Sequence, residues 1–362
     1  MNDAGHMAHA LRLAARGLGQ VWPNPAVGCV IVRDGVIVGR GHTQPGGRPH
    51  AETMALAQSG AAARGAVAYV TLEPCAHHGQ TPPCADALIA AGVARMVTAL
   101  TDPDPRVAGR GHAMLRAAGV AVTEDVLADK ARYLNAGFLK RITRGLPFVT
   151  LKLASSLDGR IATSAGQSRW ITGPEARRMV HLLRMTHDAV LIGAGTARAD
   201  DPDLSVRGLG ATRQPVRVVM DSHLSHDPNS QLGNTARACP VWLLHGPDAP
   251  AGARRAWADQ GAVLIEVATD GHGKIDATIA MQALATKRIT RILCEGGGTL
   301  AASLLRAGLV DDLALFTAGV VIGGDGRAVL APLGIADLPL APRLSLRETR
   351  QIGGDSFSLW SV

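Results

Sequence analysis

The 362-residue chain is predicted to be an α/β protein with two consecutive domains, over residues 1–145 and 146–362. In both halves short apolar runs alternate with helical patterns, which is typical of parallel sheets covered by helices. The length suits two separate cores. A new apolar run, Phe148 to Leu153, begins directly after Arg144-Gly145-Leu146-Pro147. These glycine and proline residues mark the predicted boundary.

The predicted elements of the first half surround a hairpin. Two apolar runs, 26–32 and 36–38, flank Asp34-Gly35, a dipeptide that favours a tight turn between antiparallel strands. A helix over about 4–18 precedes the hairpin. After it we expect a helix over 50–58, a strand over 66–72, a helix over 84–91 and a strand over 95–100.

The second half repeats the alternation and predicts a mostly parallel sheet with helices on its faces. The expected strands are 148–153, 189–192, 216–220, 241–245, 263–267 and 289–294.

The composition limits the classes of molecule that the protein is expected to bind. The net charge is +7 and aromatic residues make up 3% of the chain. A basic balance favours anionic partners, but scarce aromatics and dispersed arginines favour small phosphorylated ligands over single-stranded nucleic acid. Apolar runs stay too short for a membrane span. Five cysteines without a disulfide framework predict a cytoplasmic protein; Cys29, Cys239 and Cys294 lie in apolar runs and are expected in the core.

The most specific motif is His50-Ala51-Glu52, followed by Pro74-Cys75 and, after eight intervening residues, Cys84. One imidazole and two thiolates hold catalytic zinc at three corners of a tetrahedron and leave the fourth for water. Glu52 suits the proton-transfer role that zinc deaminases give to a glutamate near the histidine ligand. Both His50 and Cys84 are predicted at helix N-termini.

A structural zinc site is the alternative. Such a site usually has four protein ligands, so it requires one more residue besides His50, Cys75 and Cys84. His77 and His78 are candidates for the fourth position. The acidic turn Asp102-Pro103-Asp104-Pro105 at the end of a predicted strand is favoured as a simple turn.

Two glycine-rich turns follow predicted strands in the second half, at Glu295-Gly296-Gly297-Gly298 and at Gly193-Ala194-Gly195. Such turns let a backbone approach phosphates at a helix N-terminus, although each is as often only a turn. Pattern alone predicts an exposed Lys152, a core Trp170 and Arg184 as a charge on a helix surface.

Together these motifs resemble the family of bifunctional riboflavin-biosynthesis deaminase/reductases, along nearly the whole chain. The resemblance rests on motifs from both halves. They are Pro23 to Gly28, His50-Ala51-Glu52, Thr71 to Gly79, Thr81 to Cys84, Leu151-Lys152-Leu153, Ser156 to Gly159, Trp170-Ile171-Thr172, Ala199 to Pro202, and Glu295-Gly296-Gly297 with Leu300.

The resemblance implies a cytidine-deaminase-like three-layer α/β/α domain followed by a dihydrofolate-reductase-like α/β domain. It implies two consecutive reactions. Zinc-dependent hydrolysis removes the 2-amino group of 2,5-diamino-6-ribosylamino-4(3H)-pyrimidinone 5′-phosphate, and NADPH then reduces the ribosyl group to ribityl. The partner would be this small phosphorylated pyrimidine, with no nucleic acid and no membrane, and the chain would form a homo-oligomer.

The resemblance also implies site residues. His50, Cys75 and Cys84 would bind zinc, and Glu52 would transfer protons. The residues that match NADPH contacts are Ala154, Trp170, Thr196, Asp200, Ser222, Gly297, Gly298, Thr299, Leu300, Ala301, Ala302 and Ser303. The residues that match substrate contacts are Lys152, Ser168, Arg184, Leu204, Arg207 and Glu295. Arginine forks at positions 184 and 207 suit phosphate oxygens.

Three positions depart from the family pattern: Thr43, Gln80 and Asp104. They are assigned no contacts. A base deaminase acting on tRNA, with an appended basic domain, uses the same zinc chemistry and remains the alternative enzyme.

Overall fold

A computed structural model describes residues 2–77, 82–104, 108–211 and 213–362. The chain divides into two compact units, Met1–Leu146 and Pro147–Val362. The division falls beside the predicted boundary, and each unit has its own sheet.

The first unit combines a five-stranded sheet with α-helices that precede and follow the predicted hairpin in the sequence. Its strands are β1 (Gly28–Arg33), β2 (Val36–His42), β3 (Val67–Val70), β4 (Arg95–Thr98) and β5 (Ala121–Thr123). Its helices are α1 (Asp3–Ala14), α2 (Ala51–Ser59), α3 (Cys84–Ala90), α4 (Arg110–Ala117), α5 (Ala128–Leu134) and α6 (Ala136–Arg144). The strand order is β2-β1-β3-β4-β5. The predicted hairpin is confirmed, with β1 antiparallel to β2, and β3, β4 and β5 run parallel.

Helix α2 packs unusually close to the sheet because β2 contains glycines at the contact. A Cβ on Gly41 would lie 2.0 Å from the Ala51 carbonyl oxygen, and one on Gly39 would lie 2.3 Å from that of Ala55. Only residues without a side chain allow this approach. The first turn of α2 is therefore held against the sheet at a defined height.

The second unit is built on a nine-stranded sheet. Its strands are β6 (Phe148–Ser156), β7 (Arg160–Ala162), β8 (Ala189–Gly193), β9 (Val216–Met220), β10 (Val241–His245), β11 (Val263–Glu266), β12 (Arg291–Cys294), β13 (Asp312–Ala318), β14 (Arg327–Ala328), β15 (Ser345–Ile352) and β16 (Asp355–Ser361). Its helices are α7 (Pro174–Met185), α8 (Ala194–Asp200), α9 (Gln231–Asn234), α10 (Ala251–Asp259), α11 (Ala277–Thr286) and α12 (Gly298–Arg306).

The strand order is β11-β10-β9-β8-β12-β6-β13-β16-β15, while β7 and β14 form a separate pair. The run from β11 to β13 is parallel, which confirms the predicted parallel sheet. The antiparallel strands β15 and β16 were not predicted. All of β15 except its last residue is exposed, so it lacks the alternation that identifies a half-buried strand.

The six predicted strands of this unit are found with small shifts in their ends. Among the described residues, no helix is both long and apolar enough to cross a membrane.

Candidate active sites

The predicted metal ligands come together in the first unit. His50 Nδ1, Cys75 Sγ and Cys84 Sγ lie within 4.8 Å of one another. The imidazole nitrogen is 3.3 Å from Cys84 Sγ and 3.8 Å from Cys75 Sγ. Tetrahedral zinc, with bonds of about 2.0 Å to nitrogen and 2.3 Å to sulfur, sets the nitrogen–sulfur distance at about 3.5 Å. The three donors therefore fit a zinc ion.

Each ligand is placed by a secondary-structure boundary. His50 immediately precedes α2, Cys84 is the first residue of α3, and Cys75 lies in the segment that leaves β3. The Cys84 N–H donates a hydrogen bond to Cys75 Sγ at 3.3 Å. The predicted positions at the starts of two helices are confirmed.

His77, one of the two candidates for a fourth ligand, does not join this group. Among the residues that the structure describes, the cluster consists of one histidine and two cysteines, and His77 is outside it. His78 lies outside the described residues. The donor set thus matches the three protein ligands of a catalytic zinc.

Glu52 lies beside the ligands in the first turn of α2 and is 4% exposed. Burial raises the pKa of its carboxyl group, which also forms a hydrogen bond with Cys84. Hydrogen bonding from Cys84 lowers the pKa of the Cys75 thiol to about 4. This shift favours the thiolate form of Cys75, the form that binds metals.

A second glutamate organises the loop next to this site. The carboxylate of Glu73, two residues before Cys75, accepts four backbone hydrogen bonds. Oε2 accepts from the N–H groups of Asp102 and Gly109, at 3.1 and 2.9 Å. Oε1 accepts from those of Gly111 and His112, at 2.8 and 3.2 Å. Glu73 therefore ties the segment after β4 and the start of α4 to the segment that carries Cys75.

Two departures from the family pattern have local structural partners. The Thr43 hydroxyl accepts a hydrogen bond from the Val27 N–H at 3.0 Å, and its backbone N–H donates to the Val27 carbonyl. Asp104 is buried and its N–H donates to Asp102 Oδ1 at 2.9 Å, a hydrogen bond typical of turns that begin with an aspartate. Gln80 and Pro105 lie outside the described residues.

The second unit contains two neighbouring cavities of about 620 and 570 Å³. Their linings share seven residues, which mark where they meet: Lys152, Ala154, Ile161, Ser168, Thr196, Asp200 and Glu295. Lys152 and Ala154 lie on β6, while Thr196 and Glu295 follow the carboxyl ends of the parallel strands β8 and β12, the usual place for ligand sites in parallel sheets.

A charged group of three side chains stands at this junction. Arg184 forms a bidentate salt bridge with Glu295, with Nε–Oε1 and Nη2–Oε2 distances of 2.6 and 2.9 Å. Burial alone would raise the pKa of Glu295, but the guanidinium lowers it on balance. Burial lowers the pKa of Lys152, and attraction to Glu295 opposes that shift. Lys152 was predicted at the surface from its pattern, and this was wrong because its side chain is partly buried and lines both cavities.

The arginine fork predicted to bind phosphate at position 184 is already occupied. Besides its bond to Glu295, Arg184 donates from Nη1 to the Ser205 carbonyl at 2.9 Å. Its side chain is 11% exposed, so the expectation of a surface charge was also wrong. Arg207 is different: its side chain is 59% exposed and pairs with Asp203 at 2.6 Å.

The two glycine-rich turns are joined to each other. Gly193 and Gly297 each precede a helix, α8 and α12, and the Gly297 N–H donates to Thr196 Oγ1 at 3.0 Å. A Cβ on Gly298 would lie 2.9 Å from the Val329 carbonyl oxygen. Both turns line the 570 Å³ cavity, which gives that cavity the backbone N–H groups suited to phosphates.

Most of the other candidates line a cavity. Gly297, Gly298, Thr299 and Leu300 line the smaller one, and Trp170, Leu204 and Arg207 line the larger one. Trp170 is 70% exposed, so the prediction of a core residue was wrong. The Arg177 guanidinium lies 4.6 Å from its ring centroid.

Four candidates line neither cavity. The Ser222 hydroxyl accepts from the Ile275 N–H at 3.2 Å. Ala301 and Ala302 are fully buried on the inner side of α12, and Ser303 follows them. None of these three residues lines either cavity.

The structure adds cavity residues that the sequence did not indicate. His181 and Arg177, on α7, line the larger cavity, and Arg327, on β14, lines the smaller one. No glycine motif or ligand spacing marks them, because α7 and β14 reach the cavities only through tertiary packing.

The fold and sites define a class of protein: a deaminase-type metal site in one unit and a dinucleotide-type cavity in another. Family models match both parts of the chain. Residues 1–100 match the family model of the cytidine and deoxycytidylate deaminase zinc-binding region. Residues 147–357 match that of the RibD C-terminal domain.

Relatives cover nearly the entire chain. The riboflavin biosynthesis protein RibD of Escherichia coli K12 is 44% identical, over 98% of each chain. The structure of Acinetobacter baumannii RibD is 38% identical, with a TM-score of 0.89 over 99% of this chain and 98% of that one. A Thermotoga maritima deaminase/reductase structure is 32% identical, with a TM-score of 0.86 over 99% and 98%.

The chain therefore belongs to the RibD family of bifunctional riboflavin-biosynthesis enzymes. It joins a deaminase and a reductase, and the family's cofactors are zinc and NADPH.

Proposed function

We propose that this chain deaminates diaminohydroxyphosphoribosylaminopyrimidine and then reduces 5-amino-6-(5-phosphoribosylamino)uracil, the two reactions named for its Thermotoga maritima relative. The proposal rests on the presence of both sites in one chain. A three-ligand metal site with a buried glutamate occupies one unit, and two cavities meeting at Lys152 and Glu295 occupy the other. We assign the deaminase to residues 1–145 and the reductase to residues 146–362.

In the deaminase, His50, Cys75 and Cys84 would hold zinc, which supplies an activated water when bound. Water adds to the amino-bearing ring carbon and ammonia leaves. Glu52 takes a proton from the attacking water and delivers it to the departing amine. Its position in the first turn of α2 keeps the carboxyl group beside the ligands.

In the reductase, the glycine-rich turns bind the phosphates of NADPH, which supplies a hydride when bound. The pyrimidine ribotide occupies the larger cavity, so that its ribosyl carbon C1′ reaches the junction. Reduction adds the hydride to C1′ and breaks its bond to the ring oxygen, which must gain a proton. Lys152 is the ammonium group at the junction and donates that proton.

Arg184 has a positioning role in this scheme. Its fork holds Glu295 and leaves Arg207 as the more exposed guanidinium for the substrate phosphate. Attraction to Glu295 in turn opposes the lowering of the Lys152 pKa by burial.

The test follows ammonia and NADPH together. Zinc-loaded protein is given the diamino ribotide and NADPH, and both ammonia release and NADPH oxidation are expected. Glu52→Gln should retain zinc, release no ammonia and oxidise no NADPH. NADPH oxidation should return when this variant is given the deaminated ribotide.

Glu266→Gln is the matched control, since that side chain is 57% exposed in the other unit and should leave both reactions unchanged. NADPH oxidation from the diamino ribotide by Glu52→Gln would contradict the order of the reactions. Absence of both signals from folded, zinc-bearing wild type would refute the proposal. Deamination of tRNA in its place would favour a nucleic-acid deaminase.

We further propose a homo-oligomer, dimer or tetramer, acting in the cytoplasm without nucleic-acid or membrane partners. Support for assembly comes from Leu338, Leu340 and Leu346, which are 73%, 70% and 52% exposed, since neighbouring exposed apolar residues often mark interfaces. The cytoplasmic location is supported by the free thiols, because two of them are needed reduced as ligands. Light scattering on the eluting protein would test the assembly, and a monomeric mass would contradict it.

A further inference from the structure

The larger cavity contains a histidine for which the reaction scheme has not yet given a role. His181 lies on α7, one turn before Arg184, and lines the cavity together with Arg184 and Arg207. It is partly buried. Arg184 is paired with Glu295, so the exposed guanidinium of Arg207 is the group that would stabilise an anionic part of a ligand at this end of the cavity.

The contacts of His181 define which ring nitrogen carries the proton. The backbone N–H of Arg207 donates to His181 Nδ1 at 3.2 Å. Nδ1 is therefore an acceptor, and in the neutral ring the proton is on Nε2. Burial, with repulsion from Arg184 and Arg207, lowers the pKa of His181, against attraction from Glu295 and a weaker hydrogen bond to the Ser205 backbone. At neutral pH the ring thus presents an Nε2–H donor.

The two arginines beside His181 are partly engaged. Arg184 uses its three nitrogens on Glu295 and Ser205, and Arg207 uses one on Asp203. A phosphate there would be bound by the remaining guanidinium nitrogens of Arg207. His181, on α7, adds a neutral donor to the lining of the same cavity.

We propose that His181 is a substrate-binding residue of the reductase, whose Nε2–H donates to a phosphate oxygen of the pyrimidine ribotide beside Arg207. This rests on the proposed reductase function. The residue has two separable contacts: Nδ1 anchors the backbone at Arg207, and Nε2 binds the substrate.

Two variants separate these contacts. In His181→Asn, the amide oxygen can take the position of Nδ1 and keep the anchor, but no donor reaches the position of Nε2. In His181→Gln, the longer amide can present a donor near Nε2 but not the acceptor near Nδ1. His272→Asn is the control, because that histidine is exposed in the same unit and lines neither cavity.

The measurement is the KM of NADPH oxidation with the deaminated ribotide and with its dephosphorylated counterpart. For the ribotide, His181→Asn should raise KM about tenfold, the effect of one hydrogen bond to a charged group. KM for the dephosphorylated compound and for NADPH should not change. His181→Gln should stay within about threefold of wild type, a difference of under 1 kcal/mol.

Three results would overturn the proposal while leaving the reductase function intact. One is an unchanged KM in His181→Asn. Another is an equal rise for the phosphorylated and dephosphorylated compounds. The third is an equal loss in both variants, which would assign His181 to anchoring Arg207. A wild type that fails to oxidise NADPH with the ribotide would instead refute the proposed function itself.

Discussion

Lys152 is an ammonium group enclosed where two cavities meet, and its neighbours determine its protonation. Burial disfavours its charged form, whereas Glu295 favours it. The net result is a lowered pKa. Such a lysine gives up its proton more readily than an exposed one, which suits a proton donor.

The reductase should therefore lose activity as pH rises through the lowered pKa of Lys152, because the deprotonated amine cannot donate. With the deaminated ribotide, the alkaline fall in kcat/KM should begin below the ordinary lysine range near 10.5. Lys152→Met should reduce kcat at least about 100-fold, the usual size of general acid catalysis. Lys274→Met, at an exposed lysine, is the control. If the pH dependence of kcat/KM in Lys152→Met matches that of wild type, Lys152 does not donate the proton.

Glu73 shows how one side chain can organise several backbone segments. Helix α4 has no side-chain cap from Gly109, and the carboxylate of Glu73 serves that purpose from a different segment. Gly111 permits the contact, since a Cβ there would lie 2.0 Å from the Pro74 carbonyl oxygen. The loop beside the metal site is thereby fixed to the segment that carries Cys75.

Glu73→Gln should lower the free energy of unfolding of the first unit by about 2–3 kcal/mol, because the amide NH₂ faces N–H donors and the charge is lost. The first transition in urea, followed on the zinc-loaded protein, measures this. Asp129→Asn, at an exposed carboxylate of α5, should change it by no more than about 0.5 kcal/mol. An equal effect of both variants would show that the carboxylate of Glu73 is not a cap.

The buried histidine at the end of α7 links this helix to β6. His187 Nε2 lies 2.9 Å from Thr150 Oγ1, and Nδ1 lies 2.6 Å from the Leu183 carbonyl. Burial, with repulsion from Arg291, lowers the pKa of His187 to about 3. The unfolded chain titrates near the ordinary value of 6.5.

Between these two pKa values the unfolded state binds the additional proton, so the second unit loses stability as pH falls below about 6.5. From pH 7 to pH 5 this histidine should cost about 2 kcal/mol. His187→Gln should be less stable at pH 7 but should lack that part of the decline. Urea unfolding at both pH values gives the difference, with His272→Gln as control. An identical decline in His187→Gln and wild type would contradict the assignment.

The complete chain consists of two units that each have a hydrophobic core. One core is formed by residues between Met7 and Phe138, and others by residues between Ala176 and Phe357. Each unit can therefore respond to its own ligand. The metal ligands all belong to the first core's unit, and both described cavities belong to the second.

Removal of zinc should abolish ammonia release but preserve NADPH oxidation with the deaminated ribotide. Binding to the folded state alone stabilises that state, so the chelated protein should lose thermal stability in its first unit only. Calorimetry with metal analysis would measure both effects, and readdition of zinc is the control. Loss of the reductase reaction on chelation would show that the units are coupled.

Much of the site could be predicted because its information is local. His50, Glu52, Cys75 and Cys84 lie in short motifs whose residue types are those of zinc chemistry, and the glycine-rich turns follow buried strands. The antiparallel hairpin of β15 and β16, the burial of Lys152 and the exposure of Trp170 could not be predicted. They depend on which segments, distant in sequence, pack beside them.

The sequence by itself determined the two α/β units and the family, and it marked His50, Cys75 and Cys84 as candidate zinc ligands, because periodicity and motif spacing are properties of neighbouring residues. Only the tertiary structure decided that Arg184 is occupied by Glu295, 111 residues away, and that His181 faces the cavity with Arg207. The physical reason is that a side chain's partners, charge state and exposure are set by packing across the sheet, which sequence spacing does not encode.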